Sequence, residues 1–103
     1  DIIKSGGRIY IFMEFASNGT ISDFLKKNGA LTEPHACIWF TQSTDALRFL
    51  HDQLKIAHRD IKIDNILLDE NDIAKLTDFG FAKESVDKET NEMILSETFC
   101  SIL

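Results

Sequence analysis

The residues best suited to chemistry lie in one short stretch, residues 58–65, with the sequence HRDIKIDN. It supplies a carboxylate at Asp60, an ammonium at Lys62 and an amide at Asn65, and another carboxylate lies further along the chain at Asp78. A carboxylate can accept a hydroxyl proton, and carboxylate and amide oxygens are the hard ligands that Mg²⁺ prefers. Transfer of a phosphoryl group from ATP requires these groups. We therefore interpret Asp60 as a proton acceptor, Asn65 and Asp78 as Mg²⁺ ligands, and Lys62 as the cation that faces the γ-phosphate.

The apolar runs behind this stretch predict the element that positions it. Residues 66–68 and 73–76 are separated by polar turn residues, which is typical of a small β-hairpin. Such a hairpin would bring Asp78 back beside Asn65. We expect Gly80 to adopt the unusual backbone angles that the turn after Asp78 needs.

The first third of the chain predicts a hairpin followed by a helix. Two β-rich runs, residues 2–3 and 8–14, flank a double glycine, which is a hairpin signal. The second run is apolar almost throughout, so we expect that strand to be buried on both faces. A polar stretch of small residues ends it, and residues 21–27 then predict a short helix closed by Asn28 and Gly29.

A longer helix is expected to begin at Thr32, which can cap it, with Pro34 in its first turn. Apolar residues recur at three- and four-residue intervals and predict one core-facing stripe that ends near Leu54. The residues of this stripe are Trp39, Phe40, Ser43, Leu47, Leu50 and Leu54.

Composition limits the class of protein. The chain has 103 residues, 44% hydrophobic and 27% charged, which is typical of one small globular domain. A formal charge of −6 argues against a nucleic-acid partner. No apolar run is long enough to cross a bilayer, so we expect no membrane partner. Cys37 and Cys100 form neither a metal nor a disulfide pattern, which favours a cytoplasmic location.

The two motifs, residues 58–65 and the DFG triplet at residues 78–80, resemble the signature of the eukaryotic protein kinases, H-R-D-x-K-x-x-N followed by D-F-G. The resemblance covers the whole chain and implies a truncated α+β kinase fold. It implies four segments, which are N-lobe strands at residues 1–14, the hinge at 14–19, the C-lobe core at 20–83 and part of the activation segment at 84–103.

The same resemblance implies where ATP would bind. Met13 would be the gatekeeper, the backbone of Glu14 and Ala16 would face the adenine, and Leu67 would lie beneath the ring, with Asp78 at the phosphates. The cofactors would be ATP and Mg²⁺, and the partners a protein substrate and ATP itself. His58 is expected to support the loop by packing under Phe79, not to act as an acid or base.

Lys62 favours serine/threonine kinases over tyrosine kinases. Residues 78–83 (DFGFAK) and 94–100 (ILSETFC) are similar to the testis-specific serine/threonine kinases of the calcium/calmodulin-dependent group. That similarity implies that Thr98 is the activation-loop phosphosite, modified by an upstream activating kinase. Its phosphate would pair with Arg59 and order the loop.

Two alternatives stay open. The family's Gly-rich loop, its β3 lysine and that lysine's glutamate partner, and its A-P-E segment are absent from this sequence. Both ends look cut, so we expect the isolated chain to be inactive and marginally stable. It could then act only by binding partners. A small-molecule phosphotransferase of the aminoglycoside or choline kinase kind shares the Asp and Asn spacing, but Arg59, Lys62 and the intact triplet at residues 78–80 oppose that interpretation.

Overall fold

The computed structural model describes residues 1–84. Within this range the strands pair as three antiparallel two-stranded ribbons, β1 with β2, β3 with β6, and β4 with β5. The elements are β1 Ile2–Ser5, β2 Arg8–Ile11, α1 Ile21–Asn28, α2 Glu33–Phe49, a π-helical turn Leu50–Leu54, β3 Ile56–Ala57, a 3-10 turn Ile63–Asn65, β4 Ile66–Leu68, β5 Ala74–Leu76 and β6 Lys83–Glu84. The α+β class is confirmed. Thr98, Cys100 and nearly all of the segment predicted at residues 84–103 lie outside the described residues.

The β1–β2 hairpin turns through the predicted double glycine. Gly6 and Gly7 have φ angles of 56° and 73°, the left-handed pair that a two-residue hairpin turn requires. Both strands are exposed along their whole length, so the expectation that the second strand is buried on both faces is wrong. That strand is also shorter than residues 8–14. It ends at Ile11, and the next residue keeps one further contact with the first strand's side, since the Phe12 N–H donates to the Asp1 carbonyl at 2.8 Å.

Helix α1 begins with a reciprocal capping box. The Thr20 hydroxyl accepts from the Asp23 N–H at 3.0 Å, and the Asp23 carboxylate accepts from the Thr20 N–H at 3.1 Å. Hydrogen bonds to Thr20 hold the pKa of Asp23 below its ordinary value. The backbone N–H of Thr20 has the larger effect and its hydroxyl the smaller one. The helix ends as predicted at Gly29, which has a φ of 78° and donates to the Leu25 carbonyl at 2.8 Å.

Helix α2 begins at the predicted cap, where Thr32 accepts from the His35 N–H at 3.4 Å. Trp39, Ser43 and Leu50 are buried, but two members of the predicted stripe are exposed, Phe40 at 74% and Leu54 at 48%. Phe40 follows Trp39 directly and so lies about 100° around the helix from it. Leu54 falls in the π-helical turn, whose wider turn shifts its side chain away from the stripe.

The core lies between α1, α2 and the β4–β5 hairpin. Leu68, the last residue of β4, is fully buried, and the indole of Trp39 donates to the Asp72 carbonyl at 2.9 Å. Each ring or aliphatic side chain buried here contributes about 1.5–3 kcal/mol to folding. The buried cluster comprises Ile21, Trp39, Ile66, Leu68 and Ala74.

The stretch before α1 runs beside β4 and extends its pairing. The Asn18 N–H donates to the Leu68 carbonyl at 2.9 Å, and the Leu68 N–H donates to the Gly19 carbonyl at 2.7 Å. Thr20 also bridges to Leu67. Because Leu67 carries the predicted adenine contact, this pairing fixes the start of the helical region against the floor of the site. No helix in residues 1–84 combines the length and apolar character needed to cross a membrane.

Candidate active site

His58 connects the loop at residues 58–65 to the Asp78 motif. It is 1% exposed, its Nε2 lies 2.8 Å from the Thr77 carbonyl, and its Nδ1 accepts from the Asp60 N–H at 3.2 Å. A carbonyl only accepts and a backbone N–H only donates, so these contacts assign the neutral ring with hydrogen on Nε2. The ring centroid is 5.0 Å from that of Phe79. The expected packing of His58 against Phe79 is therefore confirmed.

The structure brings Asp60, Lys62 and Asn65 together. The Asn65 amide nitrogen donates to the Asp60 carboxylate at 2.9 Å and to the Asp60 carbonyl at 3.0 Å. The Lys62 ammonium lies 3.8 Å from the other Asp60 carboxylate oxygen. Asn65 is buried, whereas Lys62 is partly exposed. The amide therefore holds the Asp60 carboxylate in one orientation, and the lysine remains at the surface of the site.

Asp78 is placed beside this loop by the β4–β5 hairpin. The Thr77 N–H donates to the Asn65 carbonyl at 3.0 Å, which extends the hairpin pairing by one step toward the loop. The hairpin itself is confirmed, with Ile66 opposite Leu76. Asp78 is thus one residue from a backbone bond to Asn65, as the sequence predicted.

Gly80 was expected to adopt the unusual backbone angles, but this expectation is wrong. The left-handed angles are at Asp78 and Arg59, whose φ angles are 61° and 69°. Asp tolerates the left-handed region better than most residues because its short side chain can bond locally. Here the Asp78 carboxylate accepts from the Gly80 N–H at 3.2 Å. Gly80 is needed for space instead, since a Cβ there would stand 3.1 Å from an Asp78 carboxylate oxygen.

A cleft of about 560 Å³ opens between the segment after β2 and the β4–β5 hairpin. It gathers every residue predicted to bind the cofactor. Asp60, Lys62 and Asn65 are not part of its wall, which joins their loop through Thr77, whose N–H donates to the Asn65 carbonyl. The residues that line the cleft are Ile11, Met13, Glu14, Ala16, Leu67, Lys75, Leu76, Thr77, Asp78, Phe79 and Gly80.

The oxygen groups fit a magnesium ion bound together with a nucleotide. Within residues 1–84, no cluster of three or more His, Cys, Asp or Glu side chains could hold a metal. Mg²⁺ is usually bound by one or two protein groups, with phosphates and water completing its octahedron. Since the Asn65 nitrogen bonds to Asp60, its side-chain oxygen is the atom left for a cation, and Asp78 adds a carboxylate.

Arg59 is tied to the segment that follows the DFG triplet. Its Nε donates to the Phe81 carbonyl at 2.6 Å. Thr98 lies outside the described residues, so its phosphorylation and its pairing with Arg59 stay predictions.

Sequence reasoning missed Lys75, which lines the cleft and lies 3.2 Å from the Glu14 carboxylate. The alternation of Ala74, Lys75 and Leu76 places Lys75 on the opposite face from its two neighbours in an extended strand. The alternation alone could not show that Lys75 faces the cleft, because that depends on the pairing register of the two strands.

Comparison with known proteins agrees with these motifs. The family model described as the protein kinase domain matches residues 1–101. Testis-specific serine/threonine-protein kinase 1 of Mus musculus is 43% identical over 96 residues, which cover 93% of this chain and 26% of that protein. Testis-specific serine/threonine-protein kinase 2 of Mus musculus is 44% identical over the same coverage. For testis-specific serine/threonine-protein kinase 4 of Homo sapiens the identity is 43% over 81 residues, 79% of this chain and 24% of that protein.

The chain thus spans about a quarter of the length of the curated relatives that it matches. The match nevertheless runs through both motifs and the elements that hold them, from β1 to the segment beyond Gly80. This chain belongs to the protein kinase domain family.

Proposed function

We propose that the protein carrying this chain is a serine/threonine protein kinase that uses ATP and Mg²⁺. The observation that best supports the proposal is the 2.9 Å hydrogen bond between the Asn65 amide and the Asp60 carboxylate, on the loop that joins the cleft wall containing Asp78. A base, two oxygen ligands and a nucleotide-sized space then lie within one small region. Because the relatives are longer than this chain, the activity is proposed for the whole protein.

In this proposal the cleft holds the base of ATP. Met13 acts as the gatekeeper, Leu67 lies beneath the adenine ring, and the backbone of Glu14 and Ala16 supplies the polar contacts of the base. A wall of this kind excludes water and orients the nucleotide through a few fixed polar groups. The triphosphate then extends past Asp78 toward the loop at residues 58–65.

Chemistry follows at the loop. Asn65 and Asp78 bind Mg²⁺, which when present neutralises charge on the triphosphate. Asp60 accepts the proton of the substrate hydroxyl. The hydroxyl oxygen forms a bond to the γ-phosphorus as the bond between that phosphorus and ADP breaks. Asn65 keeps the Asp60 carboxylate oriented, and Lys62 stabilises negative charge on the transferred group.

The remaining parts of the proposal extend to regulation and organisation. Phosphorylation of Thr98 by an upstream kinase would supply a phosphate for Arg59, and the protein would act in the cytoplasm on protein substrates. The four segments at residues 1–14, 14–19, 20–83 and 84–103 are proposed as N-lobe strands, hinge, C-lobe core and partial activation segment.

The test is Asp60→Asn in the full-length protein that contains this chain. Transfer of labelled γ-phosphate to serine and threonine peptides should fall by about a thousandfold or more, whereas the melting temperature stays the same. Asp45→Asn, an exposed position on α2, is the matched control and should retain transfer. Normal turnover by Asp60→Asn would overturn the role of Asp60.

A second candidate is a chain that acts only by binding a partner. The exposed apolar side chains of the segment after β2, such as Met13 and Phe15, favour it because they need a covering surface. Labelled phosphate transfer by the 103-residue chain itself would rule this candidate out. Binding to a full-length kinase without any transfer would support it.

A further inference from the structure

An ion pair crosses the cleft next to the predicted adenine floor. The Lys75 ammonium on β5 lies 3.2 Å from the Glu14 carboxylate, in the segment that follows β2. Lys75 is paired in register with Leu67 on β4. Residues directly opposite each other on antiparallel strands present their side chains on the same face. Lys75 therefore lies beside Leu67 on the face that forms the cleft wall.

The same hairpin holds the other end of this segment. The Asn18 side-chain amide donates to the Asp72 carboxylate at 2.9 Å, and the Asn18 N–H donates to the Leu68 carbonyl at 2.9 Å. We refer to residues 12–18 as the linker segment. It is fastened to the β4–β5 hairpin by Glu14 near its start and by Asn18 at its end, with Ala16 between the two points.

We propose that Lys75 is a positioning residue for the nucleotide base. Through Glu14 it holds the linker segment over Leu67. The distance between the linker segment and Leu67 then sets how closely the cleft fits an adenine. The inference rests on the proposed function, since it assumes that ATP binds in this cleft. The side chains of Lys75 and Glu14 are 40% and 66% exposed, so water screens the pair. The expected effect on affinity is therefore modest, about two- to fivefold.

The experiment is a double-mutant cycle in the full-length protein, with Lys75→Met, Glu14→Gln and the combination. Dissociation constants are measured for Mg²⁺-ATP and for adenosine, which lacks phosphates. We expect each single change to weaken both ligands by about two- to fivefold, and the combination to weaken them no further. The KM for ATP should rise while kcat stays within error, and the reversed pair, Lys75→Glu with Glu14→Lys, should recover affinity.

Arg48 and Asp52 provide the matched control, because their side chains form another exposed ion pair, at 3.5 Å on α2 and the π-helical turn, outside the cleft. Asp52→Asn should leave both dissociation constants unchanged. Melting temperatures of all variants check that they remain folded.

Three results would overturn the inference alone. They are additive effects of the two single changes, effects no larger than those of Asp52→Asn, and weaker ATP binding with unchanged adenosine binding, which would mean that Lys75 contacts phosphates directly. A wild-type protein that binds neither ligand would instead overturn the proposed function, and this inference with it.

Discussion

Replacing His58 with phenylalanine tests how the loop at residues 58–65 is joined to the Asp78 motif. The phenyl ring is larger than the imidazole ring, but it is aromatic and flat and can keep the contact with Phe79, whose centroid lies 5.0 Å away. It cannot donate to the Thr77 carbonyl at 2.8 Å or accept from the Asp60 N–H at 3.2 Å. The substitution therefore removes two hydrogen bonds but keeps an aromatic ring against Phe79.

The magnitude follows from burial. His58 is 1% exposed, so the Thr77 carbonyl and the Asp60 N–H would each be left without a partner in a site that water reaches poorly. An unpaired buried polar group costs about 1–3 kcal/mol. The Asp60 N–H is only partly buried, so leaving it unpaired costs less than leaving the Thr77 carbonyl unpaired. We expect the free energy of unfolding to fall by about 2–4 kcal/mol.

The measurement is urea unfolding of the full-length protein, read as a lower midpoint at an unchanged m-value. Phosphate transfer should fall as well, because Asp60 and Asp78 lose their common support. His35→Phe is the control, since in the described part of the chain the His35 ring makes only aromatic contacts, stacked 4.9 Å from Trp39 and edge-on 6.0 Å from Phe24. It should cost less than about 0.5 kcal/mol. Equal effects of the two substitutions would refute the reasoning.

The other predictions concern the capping box, the core and the DFG turn. Thr20→Ala should lower the free energy of unfolding by about 1 kcal/mol in urea, because it removes the side-chain half of the box. Asp23 has a folded pKa below its ordinary 3.8, so its ionised form stabilises the fold above that pH. The difference in stability from Asp23→Asn should therefore be constant above about pH 5 and vanish as the pH falls through the folded pKa. Leu68→Ala should cost about 2–5 kcal/mol in the same assay, since the side chain is fully buried. Gly80→Ala should raise the Mg²⁺ concentration needed for half-maximal transfer by up to about tenfold, because its Cβ would push the Asp78 carboxylate, 3.1 Å away; an unchanged Mg²⁺ dependence would contradict this reading of Gly80.

Local patterns in the sequence predicted much of the fold. The cap at Thr32 depends on bonds within one helical turn, so residue type and spacing were enough to place the start of α2 there. The start of α1 at Ile21 followed from the polar stretch before it, whereas the capping box at Thr20 was not predicted. The polar turn between Leu68 and Ala74 likewise predicted the hairpin. The predicted nucleotide residues meet at one cleft because the motifs fix the order of loop, hairpin and DFG turn.

Long-range geometry could not be predicted in the same way. The exposure of β2 depends on what packs against it, which an apolar sequence does not show. The left-handed angle at Asp78 arises from the contacts of the folded turn, whereas a glycine two residues later suggested that the angle lay there. The pair between Lys75 and Glu14 joins segments far apart in the chain, and only the register of the hairpin brings them together.

The most direct test is a crystal structure of the full-length protein with Mg²⁺ and a non-hydrolysable ATP analogue. Magnesium should be bound by the Asn65 side-chain oxygen and the Asp78 carboxylate at about 2.0–2.1 Å, together with phosphate oxygens, with the adenine over Leu67 and the Asp60 carboxylate facing the γ-phosphate. A nucleotide bound elsewhere, or a metal held without Asn65 and Asp78, would contradict the account.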